Sequence, residues 1–145
     1  MTVSASNITS DSVTLSGKVN ACGLSTTAWF EYGTESGQYD NTTPPQNLDG
    51  TTDSVISAGI MALLQGKTYY YRVAARNNAG TAYGDEMSFD ILDTTAPVGS
   101  ITIKGGDTYT NSTTVTINLD ASDNRGVTGY YISTSKEASL AIAES

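Results

Sequence analysis

A chain of 145 residues is long enough for one ordinary domain, or for one small domain and part of another. Its formal charge of −8 and sequence pI near 4.1 argue against nucleic acid and anionic membranes as partners, because Lys and Arg form no cluster that would reverse the repulsion locally. The sequence has no His and a single Cys, Cys22, which excludes Ser-His-Asp and Cys-His catalysis and an internal disulfide within this chain.

Apolar and polar residues alternate with a period of two through most of the chain, which predicts an all-β fold. In "SVTLSGKV", the apolar side of the predicted strand carries Val13, Leu15 and Val19. In "AWFEYG", Ala28, Phe30 and Tyr32 lie on one side, and Trp29 and Glu31 lie on the other. Residues 53–64 supply a further strand, which bends at "QGK".

Three consecutive tyrosines occur in the alternating segment "TYYYRVAAR". Because neighbouring residues of a strand point to opposite faces, we expect Tyr69 and Tyr71 in the core and Tyr70 outside it. After "NNAG", a last strand is predicted over residues 81–91, with Met87 and Phe89 on one face.

The composition changes at "DTTAPVGS", where the spacing of Thr and Pro predicts an extended linker over residues 93–97. The sequence therefore predicts one domain over 1–92 and a second β unit over 98–145. Alternating strands are expected in "SITIKGG", "TTVTINLDAS" and "VTGYYIST", with turns at 105–106 and 123–126. The tail "SKEASLAIAES" favours a short C-terminal helix that Ser135 would cap.

Several of these segments resemble the fibronectin type III family. Leu63, Gly66 and Tyr69 in "LLQGKTYYYRV" resemble its tyrosine corner, although Gln65 stands where the family usually has proline. "AWFEYG" is similar to its third strand, and "NNAG" with "MSF" resembles its final hairpin. The resemblance covers about residues 2–92 and implies an immunoglobulin-like β-sandwich, in which the Tyr69 hydroxyl bonds to backbone near Leu63 or Leu64.

The second part of the chain resembles the opening half of a bacterial immunoglobulin-like module of large surface proteins. Such modules need about seven strands in roughly 100 residues, so a partial module is expected over residues 98–145. Its uncovered strand edges would invite self-association with another chain.

Oxygen-bearing side chains around the linker and in "LDASDN" raise the question of calcium. Asp93, Asp120, Asp123 and Asn124 are hard ligands of the kind that Ca²⁺ prefers, but their spacing does not match an EF-hand loop. The alternative is that residues 123–126 simply form an Asx-type turn before the next strand. The sequence leaves both interpretations open and predicts no other metal and no cofactor.

The outward side of the first domain holds the candidate binding residues. Since the third and sixth strands are neighbours in the implied fold, Trp29 and Glu31 are expected beside Tyr70 and Arg72. Trp29 and Tyr70 would form a flat surface that stacks on sugar rings, with Arg72 over Trp29 in a cation–π contact. The alternatives are a cross-strand ladder that only supports the sheet, or packing against a neighbouring module.

The function predicted from these features is a non-catalytic spacer or protein-interaction module of a larger exported, extracellular or cell-surface protein, such as an adhesion protein. Its partners would be the neighbouring domains of that protein and a protein or glycan ligand. A carbohydrate-binding accessory module is the alternative. No apolar run approaches the ~20 residues that span a bilayer, so membrane insertion is not expected.

Overall fold

The computed structural model describes residues 1–103, 106, 111, 113–132 and 142–144. The chain divides into two compact units, Met1–Thr94 and Thr95–Ser145. This division falls inside the segment 93–97 that the composition marks as a linker.

Unit 1 is built from antiparallel strands in two sheets. The strands are β1 (Thr2–Ser6), β2 (Val13–Asn20), β3 (Thr26–Gly33), β4 (Asn41–Thr42), β5 (Gln46–Leu48), β6 (Asp53–Ile60), β7 (Thr68–Asn77), β8 (Gly80–Tyr83) and β9 (Met87–Asp90). One sheet has the order β1-β2-β6; the other has the order β4-β3-β7-β8, with β5 also beside β3 and β9 also beside β7. The all-β class predicted from the alternation is confirmed.

Both sheets contribute apolar side chains to one core, which makes unit 1 a β-sandwich. The predicted inner residues of β2 and β3 are buried, among them Leu15 and Phe30, which have no exposed surface. Tyr32 is the exception, since it is partly buried and packs against the core. The core consists of Val13, Leu15, Val19, Ala28, Phe30, Ile56, Ile60, Leu63, Tyr69, Tyr71, Val73, Phe89 and Ile91. Burial of this apolar surface is the main favourable term in folding, since unit 1 has no disulfide.

The predicted register of the tyrosine run is confirmed. Tyr69 and Tyr71 are 6% and 0% exposed, whereas Tyr70 is half-buried on the opposite side of β7. The ring of Phe89 lies 5.6 Å from each of the two buried rings. The Tyr71 hydroxyl donates a hydrogen bond to the Val3 carbonyl at 2.8 Å, which joins β7 to the first strand of the facing sheet.

The turn before β7 holds the crossover between the two sheets. The Leu64 N–H donates to the Tyr69 hydroxyl at 3.1 Å, so the expected hydrogen bond is present with the hydroxyl as acceptor. Gly66 has a φ of 66°, a left-handed conformation that favours glycine, and its N–H donates to the Ile91 carbonyl. The Gln65 side chain accepts hydrogen bonds from the N–H and the hydroxyl of Thr94, both at 3.2 Å.

The single strand predicted over residues 81–91 is wrong, because the chain forms β8 and β9 with a break at residues 84–86. At Gly84 the backbone lies so close to Thr2 that an added Cβ would be 2.6 Å from its hydroxyl. Both strands pair with β7, and Phe89 is buried while Met87 packs against the core, as the alternation predicts.

The described residues of unit 2 form two antiparallel pairs of strands. β10 (Val98–Ile103) pairs with β11 (Ile117–Ser122), and β12 (Tyr130–Ile132) pairs with β13 (Ile142–Glu144). The strand predicted from Thr113 therefore begins four residues later, at Ile117. The expected turn is present, because Asp123 accepts the N–H of Arg125 on its side chain and the N–H of Gly126 on its carbonyl.

The predicted C-terminal helix is wrong over residues 142–144, which form β13. Pairing with β12 gives hydrogen-bond partners to the backbone of residues 142–144, whereas a short isolated helix is only marginally stable in water. The rest of the predicted helix lies outside the described residues.

One face of the β10-β11 pair is apolar. The register places Ile103 opposite Ile117 and Ile101 opposite Leu119. Ile101, Ile103 and Ile117 are 59%, 49% and 40% exposed. Unit 2 therefore presents apolar surface of the kind that β-sandwiches bury between their sheets.

Candidate functional site

The outer face of unit 1 is the outward side of the sheet formed by β4, β5, β3, β7, β8 and β9. The four predicted binding residues lie on this face, because each is at an outward position of β3 or β7. The register pairs Glu31 with Arg72, but it pairs Trp29 with Ala74 and Tyr70 with Gly33. Trp29 and Tyr70 are thus four positions apart along the ladder, roughly 13 Å at about 3.3 Å per residue. The predicted Trp29–Tyr70 surface is therefore wrong.

Arg72 does not lie over Trp29 either. Its guanidinium forms an ion pair with Glu31, with Nη2 2.8 Å and Nε 2.9 Å from Oε2. The guanidinium carbon lies 3.9 Å from the ring centre of Tyr83 and 4.4 Å from that of Tyr39. The cation–π contact predicted for Arg72 therefore involves two tyrosines that sequence reasoning missed, one on β8 and one in the loop after β3.

Glu86 fixes that loop. Its carboxylate accepts hydrogen bonds from the Ser36 hydroxyl at 2.6 Å, the Gly37 N–H at 2.7 Å and the Tyr39 hydroxyl. These hydrogen bonds hold the pKa of Glu86 below its ordinary value, and the positive charge of Arg72 acts in the same direction. Burial, together with the hydrogen bond to Glu86, raises the pKa of Tyr39 to about 12. The partners lie 47 to 50 residues from Glu86 in the sequence, so no local pattern reveals them.

Trp29 has a fixed orientation. Its indole N–H donates to Glu31 Oε1 at 3.2 Å, while Arg72 occupies the other carboxylate oxygen. One carboxylate thus holds both the aromatic ring and the stacked cation. The ring is half-buried, so part of its surface remains accessible.

Trp29 lines an open groove of about 1100 Å³, here called the Trp29 groove. The groove crosses the sheet from the β4-β5 edge to the β7-β8 hairpin, and its lining includes Thr27, Trp29, Thr42, Pro45, Arg76 and Thr81. Tyr70 does not belong to it.

Two charged side chains line the Trp29 groove, Glu31 and Arg76. Arg72 balances the charge of Glu31. Arg76 is exposed, and none of the residues that the structure describes forms an ion pair with its guanidinium or accepts a hydrogen bond from it. The charge left over in the groove is therefore the positive charge of Arg76.

The candidate calcium ligands are not gathered into a recognisable site. Within the described ranges, no group of three or more His, Cys, Asp and Glu side chains could hold a metal ion. Asp123 accepts the N–H of Arg125 in an Asx-type turn, and Asp120 lies on β11 opposite Ser100. The part of the chain that the structure describes also contains no helix long and apolar enough to cross a membrane.

No protein-family model matches the sequence, and no curated protein sequence matches it. Among solved structures, the chain is similar to the sensor domain of the anti-sigma factor RsgI4 of Pseudobacteroides cellulosolvens. The solution structure of that domain is 23% identical, with a TM-score of 0.51, over 63% of this chain and 72% of the other.

A shorter and a longer form of the same sensor domain are also similar. The shorter form is 23% identical, with a TM-score of 0.49, over 63% of this chain and 90% of the other. The longer form is 22% identical, with a TM-score of 0.49, over 66% and 89%. At this identity the likeness of the solution structure concerns the fold alone. The fibronectin type III resemblance stays an interpretation of the sequence.

Proposed function

We propose that the chain is a non-catalytic spacer and interaction module of a larger exported protein. The observation that carries this proposal is the path of the chain through unit 1, which enters the sandwich at one end and leaves it at the other. A module of this kind holds the domains before and after it apart.

The chain enters unit 1 beside Lys18, where the residue 1 carbonyl accepts the Lys18 N–H at 2.9 Å. It leaves beside Thr9, whose carbonyl accepts the Leu92 N–H at 3.4 Å. Most of β2 lies between these two points, which is roughly 20 Å of extended strand.

The exit from unit 1 is held by several hydrogen bonds. The Ile91 N–H donates to the Lys67 carbonyl at 2.9 Å, and the side chain of Gln65 accepts both donors of Thr94. The backbone is therefore fixed as far as the residue before the second unit. This supports a spacer in which the fold of unit 1 fixes the position where the chain leaves it.

The absence of His from the sequence supports a non-catalytic role, since His is the commonest general acid or base. Two carboxylates of the outer face, Glu31 and Glu86, are also engaged by the protein. Glu31 is held by Arg72 and Trp29, and Glu86 is held by three donors of the loop after β3.

Pulling the whole chain from its two ends in an optical trap tests the spacer role. A load-bearing module should keep its folded length and then unfold in one step, since the 94 residues of unit 1 share one core. The step should release a contour length of roughly 300 Å. A gradual extension without a step would contradict the proposal.

Carbohydrate binding is a second candidate function, favoured by the oriented, half-exposed indole of Trp29 in an open groove. A glycan array with wild type and Trp29→Ala tests it. Tyr70→Ala is the matched control, because this aromatic lies on the same face but outside the groove. We expect wild type and Tyr70→Ala to bind and Trp29→Ala to lose binding. No binding by any of the three proteins would contradict this function.

A further inference from the structure

We propose that the Trp29 groove binds an acidic polysaccharide, with a sugar ring stacked on Trp29 and the carboxylate of a uronic acid unit paired with Arg76. This inference rests on the second candidate function and names its ligand class. The proposal is based on the unpaired guanidinium of Arg76 beside the oriented aromatic ring of Trp29.

The register brings Trp29 and Arg76 together. Trp29 lies opposite Ala74 and Thr27 lies opposite Arg76, so Trp29 and Arg76 are diagonal neighbours on one face of an antiparallel pair. Side chains in this relation are about 7 to 8 Å apart at their base and within reach of each other when they are long. Ala74, directly opposite Trp29 on the same face, has only a methyl group and is covered by its neighbours.

The two arginines of β7 that share this face differ in what they can offer a ligand. Arg72 is enclosed by Glu31, Tyr39 and Tyr83, and its hydrogen-bonding capacity toward a carboxylate is already used by Glu31. Arg76 lies four residues further along β7 and has no such partner among the residues described. A free guanidinium presents a planar set of donors that matches a carboxylate, and this pairing is stronger than a hydrogen bond between neutral groups.

The net charge of −8 opposes a polyanion at long range. That repulsion acts through solvent and falls off over a screening length of about 10 Å at 0.1 M salt. Because Arg72 neutralises Glu31, the charged side chains at the groove sum to one positive charge, that of Arg76. The groove therefore attracts one carboxylate at a time. This suits a sugar chain whose carboxylates are evenly spaced, and it implies binding of moderate affinity.

Titration calorimetry of the full chain with short oligogalacturonates, and with the same oligomers after reduction of their carboxyl groups, tests the proposal. Wild type should bind the acidic oligomer at least tenfold more tightly than the reduced one. Arg76→Gln should remove this preference, Arg76→Lys should keep part of it, and Trp29→Ala should abolish binding of both. Tyr70→Ala should match wild type, and unchanged thermal melting would show that the variants are folded.

The remaining outcomes overturn the proposal in distinguishable ways. If wild type and Arg76→Gln bind both oligomers equally, the ligand class is wrong while the glycan-binding function stands. If wild type binds neither oligomer and the glycan array is also silent, the glycan site itself is wrong. Neither result affects the spacer role, which the pulling experiment tests independently.

Discussion

The backbone N–H of Leu64 donates a hydrogen bond to the hydroxyl of Tyr69 over 3.1 Å. Leu64 lies on the crossover from β6, in one sheet, to β7, in the other. The Tyr69 ring is buried and stacks on Phe89 with the ring centres 5.6 Å apart. One tyrosine thus fills core with its ring and fixes the crossover with its hydroxyl.

Tyr69→Phe should lower the free energy of unfolding of unit 1 by roughly 0.5 to 1.5 kcal/mol, the usual net contribution of one hydrogen bond. Because the aromatic ring remains, the loss of stability reports only on the hydrogen bond that the Leu64 N–H donates to the hydroxyl. Tyr70→Phe is the control, since its ring is half-buried on the outer face, and a change within about 0.5 kcal/mol is expected there. Urea denaturation measures both, and an unchanged midpoint for Tyr69→Phe would contradict this role.

Gly33, at the end of β3, lies against the loop that Glu86 holds. A Cβ at this position would be 2.2 Å from the backbone oxygen of Gln38, so Gly33→Ala must displace backbone. We expect a loss of roughly 1 to 3 kcal/mol in stability, the range for overpacking. Gly59→Ala on β6 meets no atom within 4 Å and should be neutral or stabilising by up to about 1 kcal/mol. Equal effects of the two substitutions on thermal unfolding would show that the close approach is unimportant.

The inner side of each strand in unit 1 could be predicted from sequence, because the alternation of side chains between faces is a local property of an extended chain. Leu15, Phe30 and Tyr71 all lie where the period of two places them, with no exposed surface. The partner of Tyr69 could be named within one residue because the fibronectin type III resemblance implies a hydrogen bond to backbone near Leu63 or Leu64.

The arrangement of the outer face could not be predicted in the same way. A shift of two residues between β3 and β7 leaves every side chain on its own face, so the alternation does not distinguish such registers. The observed register separates Trp29 from Tyr70 and brings Trp29 near Arg76 instead. The rings around Arg72 come from residues that only the folded chain brings together, Tyr39 and Tyr83.

The apolar face of unit 2 leads to a prediction about self-association. Ile101 is 59% exposed and shares its face with Ile103 and Ile117, and burying such surface gains about 25 cal/mol per Å². The average mass of the full chain from light scattering should therefore rise with concentration, and Ile101→Lys should weaken this rise. Thr102→Lys, on the opposite face of β10, should leave it unchanged. A monomer at every concentration in wild type would contradict the prediction.

Glu86 makes the outer face sensitive to acid. Its pKa is lower in the folded chain than the ordinary value of 4.5, because the carboxylate accepts hydrogen bonds from Ser36, Tyr39 and Gly37. A carboxyl group with a lowered pKa contributes its stabilisation fully above the unfolded value and loses it as pH falls through the folded value. Protonation should therefore release the loop at residues 36–39, and with it the Tyr39 ring that covers Arg72.

The Gly37 amide is the local probe of this release, since its N–H donates to Glu86 Oε2. We expect its NMR resonance to move, and its hydrogen exchange to become less protected, as pH falls below 4.5, whereas amides in the middle of β7 should stay protected. Glu86→Gln keeps an acceptor but removes the titrating group, so its Gly37 resonance should not respond in this range. In alkali the sign reverses for Tyr39, whose pKa is raised to about 12, because its stabilising contribution is complete below the ordinary value of 10.0 and is lost as pH rises toward 12. An identical acid response of Gly37 in wild type and Glu86→Gln would assign the change to another group.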